Sequence, residues 1–298
     1  MKKNSIAIIG AGKIAYSISF ASITSGFDIR CVISQKLSSA KNLAKKFSIP
    51  NHSSSLIDIP NEVNTFFITA PDGEIKKVAD KLSSLKRNFR NNICIHFSGV
   101  ENISSLISLQ KKGCSIGSLH IIRPFPSKKI VDLKNSPASI EAGDKRAKTF
   151  LDQLCNKLKL KPHPINSDKK VFHHLAAVHS SNFLVGNLFN AFSLIDSKSN
   201  LPKDILRNTT QSALNNVFEL SPAEALSGPV DRGDIYAIKK HLNELDKKIK
   251  LSKNLRLKLL RKNYILQSFL LLDIVKDKYG KLSRGHKEIE NYLKKLLR

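Results

Sequence analysis

Residues 5–15 read Ser-Ile-Ala-Ile-Ile-Gly-Ala-Gly-Lys-Ile-Ala, and this stretch decides the fold. The apolar run predicts a buried strand that ends at Gly10, and the apolar spacing that follows predicts a helix. Between the two, Gly10 permits a tight turn, Gly12 lets the backbone approach a diphosphate, and Ala15 lets the helix pack closely on the strand. The free N–H groups at the start of such a helix attract an anion. The stretch therefore predicts a dinucleotide site, in preference to a glycine-rich turn with only a structural role.

The composition is that of an ordinary globular protein. The chain has 298 residues, 41% hydrophobic and 25% charged, which is enough for two domains with separate cores. Its four cysteines lack the spacing of a metal site and are typical of a reducing cytoplasm. The amino terminus lacks the apolar core of a signal peptide, and the longest apolar stretch, residues 265–275, is too short to span a membrane. We expect a cytoplasmic protein with no membrane partner.

The formal net charge of +26 is the most unusual property of the composition. Basic chains bind nucleic acids, acidic membrane surfaces or anionic metabolites. Here 39 of the 50 basic residues are lysines spread over every segment, whereas nucleic-acid surfaces favour clustered arginines and interleaved aromatic residues. The pattern favours the lysine bias of an AT-rich genome, so we expect no nucleic-acid partner. A positive field would still help to capture phosphate-bearing cofactors and carboxylate substrates.

Strand and helix patterns alternate through the first half of the chain, which predicts a parallel, doubly wound α/β sheet of the Rossmann type. The strand patterns cover residues 5–9, 29–33, 64–69, 93–97, 115–120 and 139–141. From about Val171 onward, long helical stretches dominate. Lys161-Pro162-His163-Pro164 is a natural boundary because proline resists helix continuation. We predict a Rossmann-like cofactor domain over residues 1–165 and an all-helical substrate and dimerisation domain over residues 166–298.

The end of the second strand favours NADP over NAD as the cofactor. An NAD site usually carries an acidic residue there, which accepts hydrogen bonds from the ribose hydroxyls. Here the strand is followed by Ser34-Gln35-Lys36 instead. Ser34 and Lys36 can donate to a 2′-phosphate, which a carboxylate would repel. The alternative is that Lys36 is one more solvated lysine in a lysine-rich chain.

Two further segments follow strands at the edge where ligands bind in such folds. They are Thr69-Ala70-Pro71-Asp72 and His96-Phe97-Ser98-Gly99. Their small residues let a nicotinamide and its ribose lie close to the backbone, although ordinary turn chemistry explains the same residues. The predicted cofactor contacts are therefore Gly10, Gly12, Lys13, Ile14, Ala15, Ser34, Lys36, Ala70, Pro71 and Ser98.

A polar face on an otherwise apolar helix is the strongest candidate for catalysis. His174, Val178 and Asn182 are spaced by four and share one helix face. A histidine there can donate a proton to a developing alkoxide, and an asparagine amide can hold a substrate oxygen. The alternatives are surface histidines or polar groups paired at a helix–helix contact. The neighbouring His173 and His179 do not complete a usual zinc pattern with His174, so we expect no metal.

A second polar segment, Gly228-Pro229-Val230-Asp231-Arg232-Gly233-Asp234, has the composition of a rigid turn. Asp234 can cap the helix that follows. Arg232 offers a planar fork to a substrate carboxylate or a cofactor phosphate. A capping turn without ligand contacts is the alternative.

Taken together, these segments resemble the bacterial family of Rossmann-like proteins with a DUF2520 carboxyl-terminal domain. That family is distantly similar to pyrroline-5-carboxylate reductases and to the 6-phosphogluconate and ketopantoate reductase group. The resemblance covers roughly residues 5–245 and rests on Gly10-Ala11-Gly12-Lys13-Ile14-Ala15, Pro71-Asp72, His96-Phe97-Ser98-Gly99, Leu119-His120, His174 through Ser181-Asn182, and Gly228-Pro229 with Arg232-Gly233-Asp234. One departure concerns the His-Pro pair that the family usually has after the fifth strand. Here His120 is followed by Ile121-Ile122-Arg123-Pro124, which puts the role of His120 in doubt and lets Arg123 take over an anion contact.

The resemblance implies an NADPH-dependent reduction of a small 2-oxo acid, with ketopantoate as the leading substrate and pantoate as the product. In related reductases a lysine and an asparagine on one helix polarise the ketone, and His174 and Asn182 are the nearest equivalents by helix face. Arg232 would hold the carboxylate, with Ser181, Asp234 and His120 also on the substrate side. Helical domains of this type commonly pair, so a homodimer is expected by analogy. An imine reductase of the pyrroline-5-carboxylate type and a regulatory protein that binds NADP without turnover remain alternatives.

Overall fold

The computed structural model describes residues 4–195, 201–252 and 254–297. It divides the chain into two compact units, Met1–Phe183 and Leu184–Arg298. The predicted boundary at residue 165 differs from this division because the helix after it packs with the first unit. The extent of the two functional domains stays a prediction.

The first unit is built on one sheet of eight strands, which confirms the predicted Rossmann-like α/β class. The strands are β1 Ser5–Ile9, β2 Asp28–Ile33, β3 Asn51–Ser53, β4 Thr65–Ile68, β5 Ile93–His96, β6 Ser115–Ile121, β7 Pro137–Ala142 and β8 Lys161–Pro164. They lie in the order β3-β2-β1-β4-β5-β6-β7-β8. The order changes direction between β1 and β4, and in such sheets a crevice opens outside the carboxyl ends of the strands at that point.

Helices cover the sheet and form the second unit. The first unit contains α1 Lys13–Thr24, α2 Leu37–Lys46, α3 Asp72–Ser83, α4 Ile107–Gln110, α5 Lys145–Lys157 and α6 Ser167–Ala177. The second contains α7 Leu184–Leu194, α8 Leu201–Glu219, α9 Pro222–Ala225, α10 Ile235–Ser252, α11 Leu255–Tyr279 and α12 Arg284–Leu297. No strand occurs among the described residues after Pro164, which agrees with the predicted all-helical carboxyl-terminal part. None of the described helices is long and apolar enough to cross a membrane.

The sheet is buried on both faces because alternate residues of each strand enter different layers. Ile6 and Ile8 of β1 pack in one layer, whereas Ala7 and Ile9 pack in the other. In the first layer the ring centroid of Phe67 lies 5.2 Å from that of Phe97 and 6.2 Å from that of Phe150. The second unit has its own core, formed by α10, α11 and α12.

The structure differs from the predicted strand pattern at the two edges of the sheet. The segment predicted to be a simple boundary, Lys161–Pro164, is the edge strand β8, which pairs only with β7. Its prolines are tolerated there because an edge strand does not need every backbone N–H. The short strand Asn51–Ser53 at the opposite edge has too little apolar pattern to be seen in the sequence. In addition, β7 runs antiparallel to β6, so the sheet is not purely parallel.

Candidate functional site

The glycine turn after β1 is shaped to hold a dinucleotide close to the backbone. Gly10 has a φ of +112°, and a Cβ atom there would lie 2.6 Å from the backbone nitrogen of Ala70. Gly12 begins α1 without a side-chain cap, and the first turn of the helix has no acidic residue. The N–H groups at this helix start are therefore free for an anion. Ala15 is fully buried beneath the turn.

A cleft of about 920 Å³ opens over this turn, at the carboxyl ends of β1, β2 and β4. Eight of the ten residues predicted to bind the cofactor line it: Gly10, Gly12, Lys13, Ile14, Ser34, Lys36, Ala70 and Pro71. Of the other two, Ala15 supports the turn from below. Ser98 follows β5, and its hydroxyl accepts hydrogen bonds from the backbone N–H groups of Val100 and Glu101. The structure thus brings the predicted cofactor residues to one cleft, except Ser98.

The charges of the cleft suit an anionic, phosphate-bearing ligand. Lys13, Lys36, Lys77 and Lys81 line it, together with one acidic residue, Glu74. Glu74 is neutralised by Lys77, at 2.7 Å. Within the described ranges the other three lysines have no ion-pair partner. The diphosphate fits the uncapped helix start, and a 2′-phosphate fits the cationic side chain of Lys36 beside Ser34.

A second cavity, of about 1000 Å³, lies at the opposite edge of the sheet; basic residues line it too, but no glycine turn does. Two of its three arginines already bind protein oxygens. The guanidinium of Arg87 donates to the backbone oxygens of Ile59 and Pro60, at 3.2 and 2.9 Å. That of Arg146 donates to Asn91 at 2.8 Å. We therefore place the functional site at the cleft over the glycine turn and along the same edge of the sheet.

Two strands away from that cleft, His120 and His174 meet over Gly99. His120 lies in β6 and His174 in α6, and their ring centroids are 5.5 Å apart. A Cβ atom at position 99 would lie 2.5 Å from Nδ1 of His174 and 2.7 Å from Nε2 of His120. Glycine after β5 therefore makes room for both imidazoles. In this structure His120, whose role the sequence left in doubt, is a direct neighbour of the proposed proton donor.

The surroundings keep two histidines neutral. Burial, the neighbouring His174 and the cation of Lys170 lower the pKa of His120 to about 4. Burial and Lys170 lower the pKa of His96 to about 3. Nδ1 of His96 accepts the backbone N–H of Ser98, so its proton is on Nε2, a buried atom without a hydrogen-bond partner among the described residues. Nδ1 of His174 is likewise buried and unpartnered.

Lys170, one helical turn before His174, is the feature that sequence reasoning missed. Its side chain is only 1% exposed, and Nζ donates to Oγ of Ser118 at 2.7 Å and to Oε2 of Glu141 at 3.4 Å. Ser167 also donates a hydrogen bond to Glu141. The only signal in the sequence was the four-residue spacing between Lys170 and His174. That spacing did not stand out, because the chain contains 39 lysines.

The other predicted catalytic residue, Asn182, lies in a different environment. After Ala177 the helix continues in π-helical form over Val178–Phe183. Within this segment Ser181 is half-buried and Asn182 is exposed. No hydrogen bond within the described residues joins either of them to His174. Their catalytic and substrate roles stay predictions.

The polar turn of the second unit combines a structural part with a free cation. Asp231 is bound by Nζ of Lys278 at 3.0 Å and by the hydroxyl of Tyr279 at 3.2 Å. Asp234 accepts the backbone N–H of Ala237 at 3.0 Å, so its carboxylate caps α10. The Arg232 side chain is exposed and makes no hydrogen bond or ion pair in the described part of the chain. Arg232 therefore keeps the free fork that a carboxylate requires, whereas the carboxylate of Asp234 is already occupied.

No group of three His, Cys, Asp or Glu side chains that could hold a metal ion occurs within the described ranges. All four cysteines are buried, as free thiols. Burial raises the pKa of the Cys31 thiol to about 11 and that of Cys155 to about 12. These thiols are protonated at neutral pH and are poor nucleophiles.

Two family models match the chain in consecutive segments. Residues 5–98 match the family described as NADP oxidoreductase, coenzyme F420-dependent, and residues 136–255 match DUF2520, a domain of unknown function. No match to a curated protein was found.

Among solved structures, a protein of Bacteroides fragilis provisionally described as an NADP oxidoreductase shares 24% identity with the chain. Its TM-score is 0.75, and the match covers 94% of this chain and 99% of that one. A protein of Thermotoga maritima is 22% identical, with a TM-score of 0.63 over 92% and 99% of the two chains. A reductive aminase of Aspergillus terreus, solved with NADPH and ethyl-5-oxohexanoate, is 11% identical, with a TM-score of 0.64 over 98% and 99%. These likenesses extend over both units and show that the fold is shared.

The first family match confirms NADP(H) as the predicted cofactor. The glycine turn and cationic cleft lie inside that match, and α6 with its histidine lies inside the second. The chain therefore joins a segment that matches the NADP oxidoreductase family to a segment that matches DUF2520.

Proposed function

We propose that this oxidoreductase reduces a small 2-oxo acid with NADPH, and that its preferred substrate is 2-dehydropantoate (ketopantoate). The observation that carries the proposal is the meeting of His120 and His174 over Gly99, at the same edge of the sheet as the cofactor cleft. When bound, NADPH supplies a hydride. The reaction then needs one proton at the oxygen that becomes a hydroxyl, and imidazole is suited to that transfer near neutral pH.

The residues divide into three tasks in this proposal. The turn at Gly10 and Gly12 holds the diphosphate, and Lys36 with Ser34 binds the 2′-phosphate. His174 donates the proton to the substrate oxygen, and Asn182 holds that oxygen. Arg232 binds the substrate carboxylate through its planar fork. Ser181, Asp234 and His120 complete the substrate side in the proposal, and the carboxylate of Asp234 also caps α10.

Imine reduction is the second candidate, of the kind that a pyrroline-5-carboxylate reductase performs. The Aspergillus terreus reductive aminase has the same fold, and an imine reductase of that organism, solved with NADPH4 and dibenz[c,e]azepine, has a TM-score of 0.61. An imine needs the same hydride and one proton at nitrogen, so the imidazole pair serves either reaction. The two candidates differ in their substrates and not in the protein groups that they use.

The test is a substrate panel with purified protein. Oxidation of NADPH is followed with ketopantoate, other 2-oxo acids and pyrroline-5-carboxylate, and NADPH affinity is measured separately by fluorescence. We expect turnover with ketopantoate, and we expect the gene to restore pantothenate synthesis in a cell that lacks ketopantoate reductase. Turnover with the imine alone would replace the proposed substrate. Tight NADPH binding without turnover on any substrate would favour a regulatory protein.

We further propose that the protein is a cytoplasmic homodimer that pairs through helices of its second unit. The apolar helix α7 buries none of its side chains, and Phe189 on it is 58% exposed. On α8, Phe218 is 85% exposed. A second copy of the chain is the partner that would cover such a surface in a closed assembly. Light scattering should give the mass of a dimer, and Phe218→Asp should shift the protein towards the monomer.

A further inference from the structure

A row of buried polar residues crosses three strands beneath α6. His96 of β5 pairs in register with Ser118 of β6, and Ser118 pairs in register with Glu141 of β7. Residues in register on neighbouring strands point to the same face of a sheet, so these three side chains lie side by side. Lys170 of α6 lies on this row and binds its middle member, Ser118, and one outer member, Glu141.

The next row along the same face holds the reaction site. His120 lies two residues after Ser118 in β6 and is in register with Ser139 of β7. The ring of His174 lies against His120, as Lys170 lies against Ser118. Four residues of an α-helix rise about 6 Å, and two residues of a strand advance about 6.6 Å. The step from Lys170 to His174 along α6 therefore matches the step from Ser118 to His120 along β6.

This match connects a buried ion pair to the site of chemistry. Charged side chains are rarely buried, and a pair such as Lys170 and Glu141 contributes little net stability compared with apolar residues of similar size. The pair does fix the position of α6 on the sheet, because a buried charge is stable only where its hydrogen-bond and ion-pair partners are in place. Ser167, on the first turn of α6, also binds Glu141, so that turn is attached to β7 at two points.

We propose that Lys170 and Glu141 are positioning residues for the reaction: together with Ser118 they set the register of α6 on the sheet, so that His174 stands over His120 at Gly99. The expected effect on turnover rests on the proposed function, whereas the placement of α6 on the sheet does not. Lys170 has a buried ammonium that is already bound to protein oxygens, so it acts through His174 and not on the substrate. A displacement of about 1 Å at His174 would lower turnover by about a hundredfold.

The test compares Lys170→Met with Lys169→Met, a matched control one residue earlier on the exposed side of α6. We expect Lys170→Met to lower kcat about a hundredfold while KM for NADPH stays within about twofold. The charged and polar groups that face His120 are Asp72 of α3, Ser139 of β7, and Lys170 and His174 of α6. Loss of the lysine charge should therefore also move the titration of His120 to higher pH. Lys169→Met should change none of these values.

An NMR measurement separates failure of this inference from failure of the proposed function, because it needs no turnover. Ring-proton contacts between His120 and His174, assigned with the His→Gln variants, should be present in the parent protein and lost in Lys170→Met. If the single variant does not fold, Lys170→Met/Glu141→Gln replaces it, since no unpaired charge is then buried. The proposal would be overturned if the folded single or double variant kept the ring contacts. It would also be overturned if that variant kept the kcat and the His120 titration of the parent protein. Absence of turnover in the parent protein with the contacts behaving as expected would reject only the proposed function.

Discussion

The substitution Gly99→Ala tests the candidate site by adding a single methyl group. The new Cβ would lie 2.5 Å from Nδ1 of His174 and 2.7 Å from Nε2 of His120, whereas ordinary contacts begin at 3.4 Å. Each ring must therefore withdraw by somewhat less than 1 Å. The backbone at Gly99 is not in the left-handed region, so an alanine there is opposed by the two imidazoles and not by backbone strain.

Two magnitudes follow from that displacement. Adding a methyl group to a filled site costs about 1–3 kcal/mol of folding free energy. Moving a proton donor by about 1 Å lowers turnover by about a hundredfold, which corresponds to about 2.7 kcal/mol in the activation barrier. NADPH affinity should stay within about twofold of the parent, because the cleft over Gly10 and Gly12 does not include position 99.

The assay measures kcat and KM from NADPH oxidation, together with the free energy of unfolding in urea. Gly73→Ala is the matched control, because a Cβ atom there meets nothing within 4 Å and the residue lies in the helix α3. That change should leave kcat unaltered and increase the stability by about 0.5–1 kcal/mol. A folded Gly99→Ala protein with parent kcat would refute the assignment of the imidazole pair to catalysis.

Three further predictions concern cofactor affinity, chemistry and acid stability. Lys36→Ala should raise KM for NADPH at least about tenfold and hardly change that for NADH, because a charge-assisted hydrogen bond to the 2′-phosphate contributes about 1.5–3 kcal/mol. His174→Gln should lower kcat about a hundredfold with NADPH binding retained, as loss of a proton donor does. The free energy of unfolding in urea should fall as the pH drops from about 6.5 towards 4, because the unfolded chain takes up protons that the buried His96 and His120, with pKa values of about 3 and 4, refuse. Each of these groups contributes a slope of up to about 1.4 kcal/mol per pH unit, which His96→Gln should reduce.

Exposed residues of the same type supply the controls. Lys41→Ala on α2 should leave the KM for NADPH unchanged, and equal losses for both cofactors in Lys36→Ala would contradict a phosphate contact. His173→Gln should keep parent turnover, since its side chain is exposed on α6. His52→Gln should leave the acid slope unchanged, because His52 is also exposed. An unfolding free energy that does not vary between pH 6.5 and 4 would show that the two buried imidazoles titrate normally.

The sheet and the cofactor cleft could be predicted because their signals are local. A buried parallel strand is a short run of apolar residues, and the glycines of the turn are required by the backbone itself, as the φ of Gly10 shows. Six strands were predicted within a few residues of their observed ends, and the short edge strands Asn51–Ser53 and Lys161–Pro164 were missed. Their hydrogen bonds to one neighbour suffice for an edge strand, so neither needs an apolar pattern.

The polar network beneath α6 could not be predicted, because its members are distant in sequence. Ser118, Glu141 and Lys170 meet only through strand register and helix placement, and each by itself has the composition of a surface position. The local backbone at Asn182 also could not be predicted from the spacing of His174 and Asn182. The four-residue spacing that groups His174 with Asn182 on one face assumes a continuous α-helix. In the structure, the helix becomes π-helical at Val178.

The buried surroundings set the protonation state of His120, the ring that lies against His174 over Gly99. Burial first, then the neighbouring His174 and the cation of Lys170, hold the pKa of His120 at about 4, so that imidazole carries no extra proton at neutral pH. A neutral imidazole orients a neighbour through a hydrogen bond but has no readily released proton. In the proposed reaction, His120 is therefore the neighbour of the proton donor and not the donor itself. The ion pair that we propose to position α6 thus also helps to keep His120 neutral beside the proposed donor.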